Sequence, residues 1–189
     1  AENAWIEKEL WDQVVDPDLD IKDFKGKPCT VGLDLSQTRD MTAMAFVFQD
    51  DVDEEGRPTF AAFVKGYLPK PSFDELVEND GEHWHRFAEH PDHLEIFDSK
   101  TVRTDEVARE LIDVASSFDV DQIAYDCWLF RSFEQELEDL GVDLPVVEHP
   151  QGWNRRRNSD LSMPESINAL EALILEERIR IQLNPVLGY

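Results

Sequence analysis

Apolar positions along this chain change their period several times, and each change marks an expected element. Near the start, Trp5, Ile6, Leu10, Trp11, Val14 and Val15 recur at helical spacing and are followed by the acidic run Asp16-Pro17-Asp18-Leu19-Asp20. Residues 1–27 therefore read as a linker helix and tether entering from an upstream domain. Residues 29–35 form a short apolar strand that ends in the polar loop Ser36-Gln37-Thr38-Arg39-Asp40. Residues 41–48 make a second strand, 50–58 a hairpin-like connection, and 59–68 a third strand, alternating and aromatic. Three strands in succession with short turns predict an antiparallel meander.

Beyond residue 70 the period lengthens. Ser72 with Glu75 has the spacing of a capping box, so a helix is expected to begin there, and residues 82–89 predict another that stops before His90-Pro91. Residues 94–97 suit a short strand. Thr104 is expected to cap a helix with Asp105 and Glu106 in its first turn and Val107, Ala108, Leu111, Ile112 and Ala115 on one face. A strand over 122–126 follows, then a helix carrying Phe130, Phe133, Leu137 and Leu140 that Gly141 stops, then a strand over 144–148. Ser162 with Glu165 opens a last helix with Ile167, Leu170, Leu173 and Ile174 on its buried face, and residues 179–181 close with a short strand. Three strands, then helices, then strand–helix–strand–helix is the order of a mixed α/β sheet, antiparallel first and parallel later, flanked by helices.

Composition agrees with a folded domain. At 189 residues and 41% hydrophobic, the chain can bury a core of ordinary size. No apolar run approaches the ~20 residues that a membrane helix needs, and no basic-then-apolar leader is visible at the N-terminus. Two cysteines, Cys29 and Cys127, are too few for a disulfide framework, which points to reduced thiols in a cytoplasm. The net charge of −24 cuts against any nucleic-acid partner, because phosphate binding rests on Lys and Arg releasing counterions. A DNA function must therefore come from a particular site.

Two acids occupy such a place. Asp34 sits where an apolar strand gives way to a polar loop, and Asp126 ends a second, separate strand. If those strands are neighbours, both carboxylates leave one end of the sheet, and a divalent cation is the usual answer to their repulsion. Two such ions about 3.5–4 Å apart would activate water and stabilise a leaving oxygen in phosphodiester hydrolysis. The plain alternative is that both are strand-end turn residues, and with 42 acids in the chain such placements also arise by chance.

A family resemblance bears on that choice. Residues 31–43, Val-Gly-Leu-Asp-Leu-Ser-Gln-Thr-Arg-Asp-Met-Thr-Ala, resemble the strand motif that opens the nuclease domain of tailed-phage large terminase subunits. Tyr67-Leu68-Pro69, Ile123-Ala124-Tyr125-Asp126-Cys127-Trp128, Gln151-Gly152-Trp153 leading into Leu161-Ser162-Met163-Pro164, and Asn184-Pro185-Val186-Leu187 follow in the family's order. The resemblance implies an RNase H-like fold over 28–189 and a Mg²⁺- or Mn²⁺-dependent endonuclease, with two metals in the complete domain, that cuts concatemeric viral DNA during packaging. It implies Asp34 and Asp126 as catalytic metal ligands, and Ser36, Thr38 and Asp40 as supporting groups in the first loop, although Asp40 equally suits a turn cap. Expected partners are double-stranded DNA, an ATPase domain of the same polypeptide, the portal protein and the small terminase subunit, in the host cytoplasm. The family's third aspartate lies beyond its Asn-Pro-Val segment and its motor carries a phosphate loop. Neither occurs here, so an excised domain of weak or no activity is expected, with Asp160 and Glu165 as remote substitutes.

Other features are less pointed. Arg155-Arg156-Arg157, beside Trp153, is the one basic run and suits either a phosphate contact or a solvated turn. His83, His85, His90 and His93 match no familiar zinc spacing, and Trp84, Phe87 and Trp128 suit a core. Residues 32–38 also resemble the first phosphate loop of actin-like ATPases and sugar kinases, but a second glycine-rich loop after Asp126 is missing from a chain with 8 glycines. A non-catalytic docking module for portal or small terminase is a third reading, which an acidic surface would suit.

Overall fold

A single sheet organises the chain, and β4 is the strand around which it is laid out. The computed structural model describes residues 5–36, 38–150 and 162–188, with backbone alone at 127–130 and 132. In chain order the elements are α1 (Lys8–Val14), β1 (Val15–Asp16), a 3-10 turn (Ile21–Phe24), β2 (Pro28–Asp34), β3 (Thr42–Val52), β4 (Pro58–Pro69), α2 (Lys70–Asp80), α3 (His83–Ala88), β5 (Leu94–Phe97), α4 (Thr104–Ser117), β6 (Asp119–Tyr125), α5 (Cys127–Asp139), β7 (Val146–Glu148), α6 (Met163–Leu175) and β8 (Ile179–Gln182). Strand order is β1-β8-β4-β3-β2-β6-β7, with β5 also on β4. The expected meander is there: β2, β3 and β4 pair antiparallel, while β6 runs parallel to β2 and β7 parallel to β6.

Local chemistry accounts for this layout. Antiparallel β3 and β4 are joined by a tight turn in which the Asp53 carboxylate accepts from the backbone N–H of Glu55 and Arg57, and Gly56 takes φ +77°. Parallel strands need longer crossovers, which α4 and α5 supply. The 12 residues of β4 present an outer edge long enough for two short partners, β8 on residues 60–62 and β5 on residues 66–69.

Alternation along the strands sends side chains to two faces. On one, Cys29, Val31 and Leu33, Met44, Phe46 and Phe48, and Phe63 and Tyr67 pack beneath Val107 and Leu111 of α4 and Phe133 and Leu137 of α5. On the other, α1 and α6 close over β8 through Val14, Ile174, Ile179 and Ile181. A satellite cluster of Leu68, Phe73, Trp84 and Leu94 seats α2 and α3.

Several boundaries differ from expectation. The stretch read as a tether is packed: Val14, Leu19 and Phe24 are buried, β1 pairs with β8, and the Phe24 ring lies 4.9 Å from that of Phe48. Leu19 and Phe24 stand singly among charges, so no period announces them. α2 starts at Lys70, two residues before the expected cap, with Pro69 in the cap position and a proline in its first turn; Ser72 is buried inside the helix. Arg103, not Thr104, holds the cap position of α4. At α6 the Ser162 hydroxyl donates to the Glu165 carboxylate at 2.8 Å, joining the two box residues to each other and not to the helix backbone.

Candidate active site

β2 buries every second residue, ending with Leu33 in the core and Asp34 exposed on the opposite face. On β6, Ile123 and Tyr125 pack against that same core, so Ala124 and then Asp126 turn the other way. Asp126 keeps an extended backbone, φ −85° and ψ 130°, in the cap position of α5. Leu33 is the register partner of Tyr125. One step further along each strand sets Asp34 beside Asp126, at the carboxyl ends of two parallel neighbours whose backbones run ~4.8 Å apart. On the other flank of Asp34 the same rung continues through Ala43 and Gly66. The smallest side chains therefore stand next to that carboxylate, and the Met41 and Leu94 side chains pack over the Gly66 position. Among the described residues, no group of three or more His, Cys, Asp and Glu gathers that could hold a metal ion.

The first loop is shaped by hydroxyls. Ser36 N–H donates to Thr42 Oγ1 at 2.9 Å, and the Ser36 hydroxyl donates to the Asp40 carbonyl. Ser36 thus folds the loop back on itself, Asp40 takes part through its backbone, and Thr38 and Asp40 are exposed. Thr42, fully buried at the start of β3, is the loop's other anchor. Sequence reasoning passed over it, although a hydroxyl residue opening an apolar strand just after a polar loop was the available signal.

Behind this end of the sheet, on the core face, stands a polar quartet. Lys65 Nζ lies 2.8 and 3.0 Å from the Glu110 oxygens and 2.7 Å from Glu95 Oε2, while Tyr67 OH donates to Glu110 at 2.8 Å. Burial alone would push the Lys65 pKa down, but hydrogen bonds to Glu110 and Glu95 outweigh it and hold the value above that of an ordinary lysine. Burial, and then the Glu110 charge, push the Tyr67 phenol upward.

Comparison with known proteins adds the deciding observation: the family model described as terminase large subunit, endonuclease domain, matches residues 1–189. The chain belongs to that family. A terminase large subunit of Enterobacteria phage HK97 is 27% identical over 159 residues, which is 82% of this chain and 28% of that protein. The crystal structure of the HK97 bacteriophage large terminase superposes with a TM-score of 0.78 at 22% identity, covering 97% of this chain and 35% of that one. The chain thus spans about a third of the length of these relatives, and its mixed sheet with flanking helices is the RNase H-like fold of a terminase nuclease domain.

The segments that carried the resemblance have visible structural work. Tyr67-Leu68-Pro69 ends β4, holding Glu110 through the tyrosine and starting α2 with the proline. Asn184, buried, donates from Nδ2 to the Val64 carbonyl at 2.8 Å and accepts from Val186 N–H at 3.0 Å, clasping the chain after β8 onto β4. Other candidates of the terminase domain fare differently. Arg155, Arg156 and Arg157, with Trp153 and Asp160, lie outside the described residues, as does the Trp128 side chain. Trp84 is a core aromatic, 5.3 Å from the Phe87 ring. The four histidines stay around α3 and the turn after it, where burial, and then His90, lower the His93 pKa.

Proposed function

We propose that this domain is a metal-dependent endonuclease that cuts double-stranded DNA, with Asp34 and Asp126 as the carboxylates that hold the cation. The observation that carries the reading is the Leu33–Tyr125 register of adjacent parallel strands, each followed by an acid, with Ala43 and then Gly66 on the far side of Asp34. That donor set is hard and oxygen-only, which suits Mg²⁺ or Mn²⁺ with water and phosphate oxygens in the remaining positions. Bound there, such an ion would polarise the scissile phosphate and lower the pKa of an attacking water. The side chains themselves orient the cation and neutralise part of its charge. Ser36 and Thr42 fix the loop that bounds the site.

Membership of the terminase family supports concatemeric viral DNA as the substrate, cut at the start and end of packaging. Within that reading the partners are an ATPase motor in the same polypeptide, the portal and the small subunit, in the cytoplasm of an infected host. Among the described residues, no helix is long and apolar enough to cross a membrane.

The test is Mn²⁺-dependent nicking of supercoiled plasmid, run beside calorimetric titration of Mn²⁺. Asp34→Ala and Asp126→Ala are each expected to abolish nicking and to weaken Mn²⁺ binding at least tenfold. Unchanged Mn²⁺ affinity in both variants would sink the assignment.

A further inference from the structure

β7 has 3 residues and lies at the outer edge of the sheet, with β6 beside it. Edge strands that short fray readily, yet this one stays in register up to the candidate site. Tyr125 is the register partner of Glu148, and the ladder continues one bond further, with His149 N–H donating to the Tyr125 carbonyl at 2.7 Å. That carbonyl belongs to the peptide that joins Tyr125 to Asp126. His149 consequently stands on the rung of Asp34 and Asp126, as its third member across three parallel strands. Its imidazole is tethered as well: Nε2 is 2.7 Å from Ser166 Oγ, at the start of α6 on the face where Asp126 emerges.

We propose that His149 is a positioning residue for Asp126, and that the Ser166–His149 link lets α6 hold the carboxylate's backbone in place. The inference rests on the reading of Asp126 as a cation ligand. The chain of contacts runs from α6 through Ser166 Oγ and the imidazole to the His149 backbone, then to the Tyr125 carbonyl and the Tyr125–Asp126 peptide. Without the imidazole, the tie between His149 and α6 is lost. The 2.7 Å bond to Tyr125 then opens more often, the peptide plane ahead of Asp126 turns more freely, and its carboxylate must be ordered at the moment the cation binds. Groups that orient a metal ligand without touching the ion change affinity by about 10–100-fold. The lower end applies here, because the orientation passes through the backbone.

Calorimetric titration of Mn²⁺, paired with thermal melts, tests this on wild type, Asp126→Asn, His149→Ala, His149→Gln and Ser166→Ala. Expected are a rise in Kd of roughly tenfold for His149→Ala, a smaller rise in the same direction for Ser166→Ala, and partial rescue in His149→Gln, whose amide can still reach the serine hydroxyl. The melting temperature should move by less than about 4 °C. If Asp126→Asn weakens binding while His149→Ala and Ser166→Ala do not, the positioning role is wrong and the site reading stands. If Asp126→Asn binds Mn²⁺ like wild type, the site reading fails and the positioning role falls with it. A large drop in melting temperature for both His149 variants, with no rescue by glutamine, assigns the residue to general stability and overturns the inference.

Discussion

Lys65→Met removes the cation that two carboxylates and, through Glu110, a buried phenol are arranged around. Breaking a fully buried ion pair by deleting one partner costs about 3–5 kcal/mol, because the remaining charge is left without compensation. Here the Lys65 side chain is 11% exposed, but Glu95 and Glu110 are 34% and 32% exposed, so water reaches both acids once the lysine is gone. Solvation lowers the expected loss to about 2–3 kcal/mol. In a chain of this size that corresponds to a fall of roughly 4–12 °C in melting temperature. Urea unfolding of wild type, Lys65→Met, Glu110→Gln and the double variant measures it directly. The double variant should recover about 1–2 kcal/mol relative to the sum of the singles, since removing both charges leaves less to solvate. There is also a pH signature. A lysine whose folded pKa is raised stabilises fully below its unfolded value, 10.5, and loses that contribution as pH climbs further, and the raised Tyr67 phenol has the same sign. The gap between wild type and Lys65→Met should therefore narrow above about pH 10.5. A single-variant cost under about 1 kcal/mol, or additivity within about 0.5 kcal/mol, would refute the reasoning.

Two further outcomes follow from contacts near the site. In Gly66→Ala the new Cβ would lie 2.8 Å from Met41 Sδ and 3.3 Å from Leu94 Cδ1. A thioether tip can shift, so a loss of about 1–2 kcal/mol in urea unfolding is expected, and a neutral result would show that the Asp34 rung tolerates bulk on that flank. Cys29 is buried, and desolvation raises its thiol pKa from 9.0 to about 12. It should resist thiol reagents in the native state at pH 8. Because the unfolded chain ionises first, stability is full below pH 9.0 and declines toward about pH 12, and Cys29→Ala should flatten that decline.

Sequence pattern and structure part company at identifiable residues. The meander was legible because two largely apolar segments, 41–48 and 59–68, follow the first strand with only short polar connections, and Asp34 and Asp126 were singled out because each ends an apolar strand-like run. The pairing of their two strands was not, since register is decided between residues 91 positions apart, as the Thr30–Asp121 hydrogen bond illustrates. The same holds for Lys65, Glu95 and Glu110, which read as ordinary surface charges until three elements meet. α2 misled through Ser72-x-x-Glu75, because the preceding prolines start a helix as effectively as a hydroxyl does. His149 was passed over because a lone histidine after a short strand carries no pattern, and its value lies in a contact with Ser166, 17 residues away.

The acidity that argued against DNA fits the proposed site once the cations are followed. Arg57, Arg103, Arg109, Arg178 and Arg180 all face carboxylates of this same chain, and Lys65 is enclosed by two. These six cations thus hold turns, helix starts and strand edges together and are not arrayed for phosphates. A nuclease built this way gains little from counterion release. On the proposed reading it cuts where DNA is brought to it and a divalent ion bridges the repulsion, and it stays idle on DNA that merely diffuses past. Acidity then acts as a restraint on indiscriminate cleavage, and the rung of Asp34 and Asp126 is where a bound cation lifts that restraint.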